Sequence, residues 1–232
     1  ELIPDGGSIL EVGSGSGRLS CYLAMAGFKT VCLDSSRLAL RAAQANYSRE
    51  RVAGSFVLGD GFSLPFADEA FDVVMSTGLL EHFDNPSPIV AEMVRSLRPG
   101  GTFYSDVVPR KFSLFRSLDW VAKLNSALFG GPAAADPLYE RTFTAEQIRA
   151  LMKSCGLEHG KVFPAGVVPP YLPLLSRSRR LLELQVQMVE RTRQFWKLFD
   201  GTLVASLFGF YYFAWARKPN PHFSSVSCCG RE

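Results

Sequence analysis

Short apolar runs alternate with stretches of helical period through the first half of the chain. The apolar runs predict strands over residues 8–12, 29–33, 55–58, 71–75 and 102–108. Apolar positions three and four residues apart predict helices between these strands, including 19–26, 37–47 and one that Pro86 and Pro88 open and that ends near Leu97. Strands that alternate with helices indicate a parallel sheet with helices on its faces, so the pattern predicts an α/β fold.

The second half of the chain keeps fewer of these signals. Thr144 and Gln147 occupy the two ends of a capping box, which predicts a helix from Thr144 to Cys155 with Gly156 as its stop. Apolar runs further on predict a strand over residues 158–163 and a closing strand over 208–217. At 232 residues with 47% hydrophobic residues, the chain is long enough for one such domain with additions.

The first predicted strand breaks directly into a turn of alternating glycines, Gly13, Gly15 and Gly17. A Cβ at such positions would block both a tight turn and the close approach of a ligand to the backbone. Strand, glycine turn and helix in this order indicate a ligand site at the carboxyl end of a strand. A dinucleotide fingerprint would place its third glycine where Arg18 stands, and the carboxylate of Glu11 suits an ammonium or sulfonium better than a pyrophosphate.

Two further acids follow predicted strands. Asp34 ends the second strand, where a carboxylate can accept hydrogen bonds from ribose hydroxyls; a helix cap is the alternative, which we disfavour because it leaves the glycine turn unexplained. Asp60 follows the third strand beside Phe62, a pair that can bind an adenine amino group and cover the ring. A surface turn rich in glycine and aspartate is the alternative for this second acid.

Three motifs together resemble those of the class I S-adenosylmethionine-dependent methyltransferases of the small-molecule type, similar to methyltransferase domains 11 and 25. They are E-x-G-x-G-x-G at residues 11–17, L-P-F-x-D-x-x-F-D-V-V at 64–74 and L-x-P-G-G at 97–101. The resemblance implies a Rossmann-like, doubly wound, seven-stranded sheet that is mostly parallel with an antiparallel last strand. It also implies helical insertions near the carboxyl-terminal half.

The resemblance further implies S-adenosyl-L-methionine as the cofactor and, position by position, the residues that contact it. These are Glu11, Gly13, Gly15 and Gly17 at the methionine end, Asp34 at the ribose, Asp60, Gly61 and Phe62 at the adenine and Ser76 beside the sulfonium, with Ser14 and Ser35 completing the set. No metal site is predicted.

Methyl transfer from a sulfonium needs mainly orientation, which can contribute roughly 7 kcal/mol or more. A base is required only if the acceptor is a hydroxyl or a protonated amine. His82 follows the fourth predicted strand and is the leading candidate, although a structural or cofactor-edge role is equally open. Asp106 and Tyr139 are the alternatives.

The acceptor is predicted from what the chain lacks and from its aromatic residues. The net charge of +3 is mild, and neither an N/D-P-P-Y/F motif after the fourth strand nor a Pro-Cys pair is present, so nucleic acid is disfavoured. The aromatic segment 111–137 favours a small, partly apolar acceptor, lipid-like or aromatic. Two alternatives remain, a nicotinamide-nucleotide-dependent oxidoreductase, which Arg18 and the second acid disfavour, and a non-catalytic protein that binds S-adenosylmethionine.

We expect a single domain over residues 1–217, a disordered tail over 218–232 and a natural start upstream of Glu1. Insertions over 111–137 and 171–200 are candidate lids, with ordinary helical insertions as the alternative. Within 177–199, arginines accompany an apolar face formed by Leu181, Leu184, Met188 and Phe195, which fits a solvated cover helix better than peripheral membrane contact.

Two observations bear on location. The apolar run 203–216 is too short to span a bilayer as a helix, which takes ~20 residues. Five cysteines without C-x-x-C spacing indicate reduced thiols. We therefore expect a cytoplasmic protein.

Overall fold

The structure is a computed structural model that describes residues 4–107, 141–166, 194–209 and 211–220, together with 184, 187, 188, 191 and 192. Its centre is a seven-stranded sheet with the order β3-β2-β1-β4-β5-β7-β6. The strands are β1 (Ser8–Val12), β2 (Lys29–Asp34), β3 (Ser55–Leu58), β4 (Phe71–Thr77), β5 (Leu97–Val107), β6 (Glu158–Ala165) and β7 (Tyr211–Arg217).

The first five strands pair in parallel, and β7 runs antiparallel to both β5 and β6. From β1 the chain adds β2 and then β3 on one side of the sheet. It then returns to add β4 and β5 on the other side of β1, where β6 forms the edge and β7 lies between β5 and β6. The strand order therefore reverses between β1 and β4, the position at which open α/β sheets bind ligands. The predicted mostly parallel sheet with an antiparallel last strand is confirmed.

Five described helices accompany the sheet. They are α1 (Arg18–Met25), α2 (Arg37–Glu50), α3 (Ser87–Ser96), α4 (Ala145–Ser154) and α5 (Leu203–Phe208), and a single 3-10 turn spans Leu80–His82. Local capping fixes several of their ends: the Ser36 hydroxyl accepts from the amide of Ala39 at the start of α2, and Thr144 and Gln147 form the predicted capping box of α4.

The core lies between the sheet and its helices. Leu10 of β1, Val74 of β4, Met93 of α3 and Phe103 of β5 are buried within one continuous cluster. Strands buried on both faces read as unbroken apolar runs, which is why the sequence located them well. Burial of such side chains contributes about 1.5–3 kcal/mol each and holds the strand ends in place.

Two strands begin at residues other than those predicted. β5 begins at Leu97 rather than 102, because Leu97 pairs with Phe71 and the turn that follows is bonded to the chain after β7, with the Gly100 amide donating to the Lys218 carbonyl at 2.9 Å. β7 begins at Tyr211 rather than 208, because Thr202 caps a short helix there. Lys218, predicted to lie in the tail, also donates through its ammonium to the Leu97 carbonyl at 2.7 Å.

The predicted insertion 111–137 and most of 171–200 lie outside the described residues. Of the predicted apolar face, Leu184, Met188 and Phe195 are described, and their exposed fractions are 60%, 59% and 53%. A cover helix would bury these three side chains, so the structure does not support that interpretation for them. Among the helices in the described ranges, none is both long enough and apolar enough to cross a membrane.

Candidate functional site

A cleft of about 910 Å³ opens along the carboxyl ends of β1, β2, β3 and β4, across the point where the strand order reverses. Ten of the twelve predicted site residues line it: Glu11, Gly13, Ser14, Gly15, Asp34, Ser35, Asp60, Gly61, Phe62 and His82. The sheet therefore brings together side chains that are spread over more than seventy positions of the sequence.

The glycine turn forms one wall of the cleft. Gly13 and Gly15 have φ of 68° and 53°, a conformation that side chains disfavour. A Cβ on Gly13 would lie 2.6 Å from the Leu79 side chain, whereas a Cβ on Gly15 would meet nothing within 4 Å. The Ser14 amide donates to the Leu33 carbonyl at 3.0 Å and so fixes the turn to β2. Gly15 thus presents bare backbone to open space.

Glu11 is buried where β1, α1 and β4 meet. Its Oε2 accepts from the amide and hydroxyl of Ser20 at 3.2 and 2.5 Å, and its Oε1 accepts from the Thr77 hydroxyl at 3.0 Å. Burial raises the pKa of the Glu11 carboxyl, and the hydrogen bonds from Ser20 and Thr77 act in the opposite direction. Glu11 therefore joins three elements and lines the cleft with an acidic group.

Asp34 connects β2 to the glycine turn. Its Oδ2 accepts from the Gly15 amide and its Oδ1 from the Ser36 amide, both at 2.8 Å. The cap of α2 is Ser36, so the alternative role of Asp34 as that helix's cap is wrong. A carboxylate has about four acceptor positions, which leaves two of them for ligand hydroxyls.

Asp60 follows β3 in a tight turn and forms the far end of the cleft. Its Oδ1 accepts from the Phe62 amide at 2.9 Å. The Phe62 ring is 43% exposed and meets Phe83 edge to face, with centroids 5.2 Å apart. The turn thus presents an acid and an exposed ring to the cleft, and the adenine-binding role of this pair stays a prediction.

Two predicted site residues lie elsewhere. Gly17 is buried at the start of α1, and a Cβ there would lie 2.9 Å from the Cβ of Ala43 and 3.0 Å from the sulfur of Cys32, so it is glycine because of helix packing. Ser76 is fully buried with its hydroxyl 3.0 Å from that of Ser105. Successive side chains of a strand point to opposite faces, so the neighbouring Thr77, and not Ser76, lines the cleft.

The candidate bases have different environments. His82 is exposed at the rim of the cleft, at the end of the 3-10 turn. Asp106 lies on β5 beside Thr77 of β4, and its Oδ1 accepts from the Gly78 amide at 2.8 Å. Burial raises the pKa of Asp106 to about 6, and the nearby Glu11 charge adds to this effect. Tyr139 lies outside the described residues.

Sequence reasoning missed two residues that line the cleft beyond Thr77, Tyr211 and Phe213. The two aromatic residues come from β7, about 130 residues after β4 in sequence. Alternation along β7 could have placed Tyr211 and Phe213 on one face, but only strand pairing puts that face at the cleft.

The lining fits an elongated ligand with a cationic group and an aromatic base. Four acids, Glu11, Asp34, Asp60 and Asp106, face the cleft, and Arg18 is the arginine in its lining. The Ser14 hydroxyl is buried and has no hydrogen-bond partner among the described residues. No three His, Cys, Asp or Glu side chains in the described ranges group closely enough to hold a metal ion.

Comparison with known proteins agrees with this geometry. The family profile described as a methyltransferase domain matches residues 10–105, the segment that carries the glycine turn and the acids. An uncharacterized methyltransferase of Mycobacterium leprae is 37% identical over 98 residues, which are 42% of this chain and 36% of that protein. An uncharacterized methyltransferase of a Mycobacterium species, strain JLS, is 36% identical over 101 residues, 44% of this chain and 38% of that protein. The matched segment thus spans little more than a third of these curated relatives.

Solved structures share the fold over nearly the whole chain. The [4+2]-cyclase SpnF superposes with a TM-score of 0.64 at 20% identity, covering 93% of this chain and 76% of that one. A SAM-dependent methyltransferase from Thermotoga maritima gives 0.59 at 20% identity over 94% of this chain and 84% of that one. Family profile and relatives agree on a methyltransferase domain over the matched segment, and the solved structures share its fold, so the methyltransferase recognition made from the motifs is confirmed for that segment.

Proposed function

We propose that this chain, which carries a class I methyltransferase domain, transfers a methyl group from S-adenosyl-L-methionine to a small, partly apolar acceptor. The observation that carries the proposal is the convergence of Glu11, Asp34 and Asp60 on one cleft with the bare glycine turn. Three acids from adjacent strand ends and an open backbone match the charge and shape of an adenosyl sulfonium.

The residues present fit that cofactor end to end. Glu11, Gly13 and Gly15 would hold its methionine part, Asp34 its ribose hydroxyls, and Asp60 with Phe62 its adenine. The fit rests on the open space at Gly15, the unused acceptor positions of Asp34 and the exposed ring of Phe62. When bound, S-adenosylmethionine supplies a methyl group on a positively charged sulfur, which is already a good leaving group.

This chain's own contribution is then to position the acceptor and exclude water. The cleft continues past Thr77 along an aliphatic and aromatic wall that includes Leu79, Tyr211 and Phe213. Such a wall binds a small apolar body and orients it toward the glycine turn. Orientation alone can lower the activation free energy by roughly 7 kcal/mol. Methyl transfer therefore needs no covalent intermediate with the protein.

Two other functions were considered. A nicotinamide-dependent oxidoreductase would place glycine where Arg18 stands, and Arg18 lies in the cleft lining. A non-catalytic or differently acting protein with the same fold is a real alternative, because one solved structure of this fold carries the name of a cyclase. The segment that matches the relatives named as methyltransferases favours transfer.

The proposal extends to partners and location. We propose a small-molecule acceptor and no nucleic-acid partner, since the described cleft carries more acids than bases. A cytoplasmic location is supported by the free thiols of Cys21, Cys32 and Cys155.

Calorimetry and methyl transfer test the proposal. We expect S-adenosylmethionine and S-adenosylhomocysteine to bind and NADH not to bind. Asp34→Ala should weaken binding at least about tenfold, since a lost hydrogen bond to a charged group costs ~1.5–3 kcal/mol. Asp5→Ala, at an exposed aspartate away from the cleft, is the matched control and should bind normally.

Radiolabelled cofactor incubated with phenols, quinones, fatty acids, amines and RNA then identifies the acceptor class. Label on small molecules supports the proposal. Label on RNA alone would reject the acceptor class. Binding of NADH without binding of S-adenosylmethionine would reject the function.

A further inference from the structure

The cleft has a second end that cofactor binding does not use. Strand pairing sets Asp106 of β5 beside Thr77 of β4 on one side and opposite Phe213 of β7 on the other. Directly paired residues point to the same face of a sheet, so these three side chains share one face. All three line the cleft, next to Leu79 and Tyr211.

Asp106 carries a negative charge at that end that no cation in the described ranges balances. Its Oδ1 accepts from the Gly78 amide, and within the described part of the chain no Lys, Arg or His forms an ion pair with it. The groups that face it include Glu11, whose charge is of the same sign. The carboxylate is thus partly desolvated without a cationic partner among the residues that the structure describes, an arrangement that a cationic ligand would make favourable.

Aromatic rings flank this carboxylate. Tyr211 and Phe213 are nearly parallel, with an interplanar angle of 19° and centroids 6.4 Å apart, and Tyr104 lies 6.0 Å from Phe213. The face of an aromatic ring attracts cations, and its area covers apolar groups. A carboxylate beside stacked rings is therefore complementary to an ammonium group attached to an apolar body.

We propose that Asp106 with Tyr211 and Phe213 forms the acceptor subsite and that the acceptor is a primary or secondary amine on an apolar body, with Asp106 as its base. This inference rests on the proposed methyltransferase function. It assigns Asp106, rather than the exposed His82, to the contact with the reacting nitrogen.

The chemistry balances without a further reactant. A protonated amine has no lone pair, so it first gives one proton to the Asp106 carboxylate. The freed nitrogen pair then forms the new N–C bond to the methyl carbon while the C–S bond breaks and its electron pair stays on sulfur. The products are a methylated ammonium ion and S-adenosylhomocysteine, and the Asp106 carboxyl releases its proton to solvent. The Asp106 pKa of about 6 suits a group that must be ionised before the reaction at neutral pH and accept a proton during it.

A hydroxyl acceptor fits this subsite less well. A neutral alcohol or phenol brings no positive charge and would leave the Asp106 carboxylate uncompensated. The inference is therefore tested by whether the subsite binds an amine more tightly than the corresponding hydroxyl compound.

Binding to the S-adenosylhomocysteine complex of the full chain tests it without turnover. The probes are benzylamine, phenethylamine, tryptamine and hexylamine, each paired with its alcohol. We expect at least one amine to bind tenfold or more tightly than its alcohol at pH 7.5. Its affinity should rise from pH 5 to pH 7.5 with a midpoint near the Asp106 pKa of about 6.

Asp106→Asn keeps an acceptor for the Gly78 amide and removes the charge. It should lose the amine preference and the pH dependence while its S-adenosylhomocysteine affinity stays within about threefold of wild type. Asp5→Asn, which exchanges the same groups at an exposed site, should change nothing. If Asp106→Asn does not fold, the wild-type comparison of amines with alcohols and its pH profile decide the question alone.

The outcomes separate the two proposals. Amines that bind no better than their alcohols, or a preference that survives in Asp106→Asn, overturn this inference. In that case transfer to a hydroxyl acceptor leaves the methyltransferase function standing. A chain that binds neither S-adenosylmethionine nor S-adenosylhomocysteine loses the proposed function itself.

Discussion

The acidic side chains of the cleft differ in their hydrogen bonds and in their electrostatic surroundings. Asp34 receives two backbone amides and needs no further partner to remain in place. Asp106 receives one amide in a partly buried position, near a second acid. The first arrangement builds the site, whereas the second holds a charge ready for a ligand at a cost to the folded state.

This difference predicts how stability depends on pH at Asp106. The pKa is about 6 in the folded chain against 3.8 for an ordinary aspartate, so the contribution of Asp106 to the free energy of unfolding is most favourable below pH ~4, falls as the pH rises through about 6 and stays low above it. The penalty at neutral pH is at most about 3 kcal/mol. Asp106→Asn should therefore raise the free energy of unfolding at pH 7.5 by about 1–3 kcal/mol and leave it nearly unchanged at pH 4.

Urea unfolding at the two pH values measures this effect. Asp5→Asn, in an exposed turn, should show no such pH-dependent gain. If Asp106→Asn is instead less stable than wild type at pH 7.5, the Asp106 carboxylate has a stabilising partner besides the Gly78 amide.

At the scale of single elements, the glycine turn combines two functions in five residues. Gly15 and Gly17 have nearly the same backbone conformation, with φ of 53° and 60°. Gly15 faces open space, whereas Gly17 faces Ala43 of α2 and Cys32 of β2. One glycine therefore leaves room for a ligand, and the other lets α1 pack against its neighbours.

Gly15→Ala and Gly17→Ala form a matched pair that separates these roles. In both variants the left-handed backbone conformation lowers the free energy of unfolding by ~1–2 kcal/mol. Overpacking around the new Cβ lowers it by a further ~1–3 kcal/mol in Gly17→Ala. We expect Gly17→Ala to be the less stable variant and to keep its cofactor affinity. Gly15→Ala should be the more stable one and should bind S-adenosylmethionine at least about tenfold more weakly. Urea unfolding and calorimetry on both variants measure this, and a reversed order would contradict the assignment.

A second element-scale device is the attachment of α3 to the segment before β4. Arg95 donates to the carbonyls of Leu64 and Phe66 and to the carboxylates of Glu92 and Asp68. Hydrogen bonding from Arg95 lowers the pKa of Glu92, whose Oε2 also accepts from the Leu64 amide at 2.9 Å. This network holds the chain that leads away from the end of the cleft formed by Asp60 and Phe62.

Arg95→Lys should lower the free energy of unfolding by about 2–3 kcal/mol, because a lysine cannot reproduce the planar fork of hydrogen bonds. Arg49→Lys is the control, since Arg49 pairs only with the adjacent exposed Glu50 among its described contacts, and such pairs contribute ~0–1 kcal/mol. Thermal and urea unfolding of both variants provide the measurement. Equal stabilities for the two would show that the Arg95 network contributes no more than a surface pair.

At the scale of the whole molecule, the cleft is a product of sheet order. β1, β2 and β3 supply the glycine turn and the acids, while β4, β5 and β7 supply the second end. A ligand that fills the cleft therefore contacts most of the sheet and should stabilise the fold as a unit.

Saturating S-adenosylmethionine should raise the melting temperature of the full chain. At a ligand concentration of about 100 times Kd the gain is ~2.7 kcal/mol, which corresponds to roughly 5–10 °C for a domain of this size. NADH at the same concentration is the control and should give no shift. The reverse result would favour the oxidoreductase alternative.

The site could be predicted from sequence as far as its signals were local. Glu11, Asp34 and Asp60 lie at or just after the carboxyl ends of apolar strands. The carboxyl ends of parallel strands lie at one edge of a sheet, so the convergence of these acids followed from the pattern. Ser76 was misplaced by one residue because the exact phase of a strand depends on its pairing. Gly17 was assigned to the ligand because a glycine that serves packing looks the same in sequence as one that serves binding.

The sequence by itself determined the fold class, the order of strands and helices and the acids at the ends of β1, β2 and β3, because apolar period, glycine turns and caps act over a few residues. Only the tertiary structure decided that Asp106 and the rings of Tyr211 and Phe213 belong to the same cleft. These residues meet through the antiparallel pairing of β5 with β7, which joins positions about a hundred residues apart. Pairing between distant strands is set by the packing of the whole sheet, and no local pattern encodes which face or which register it selects.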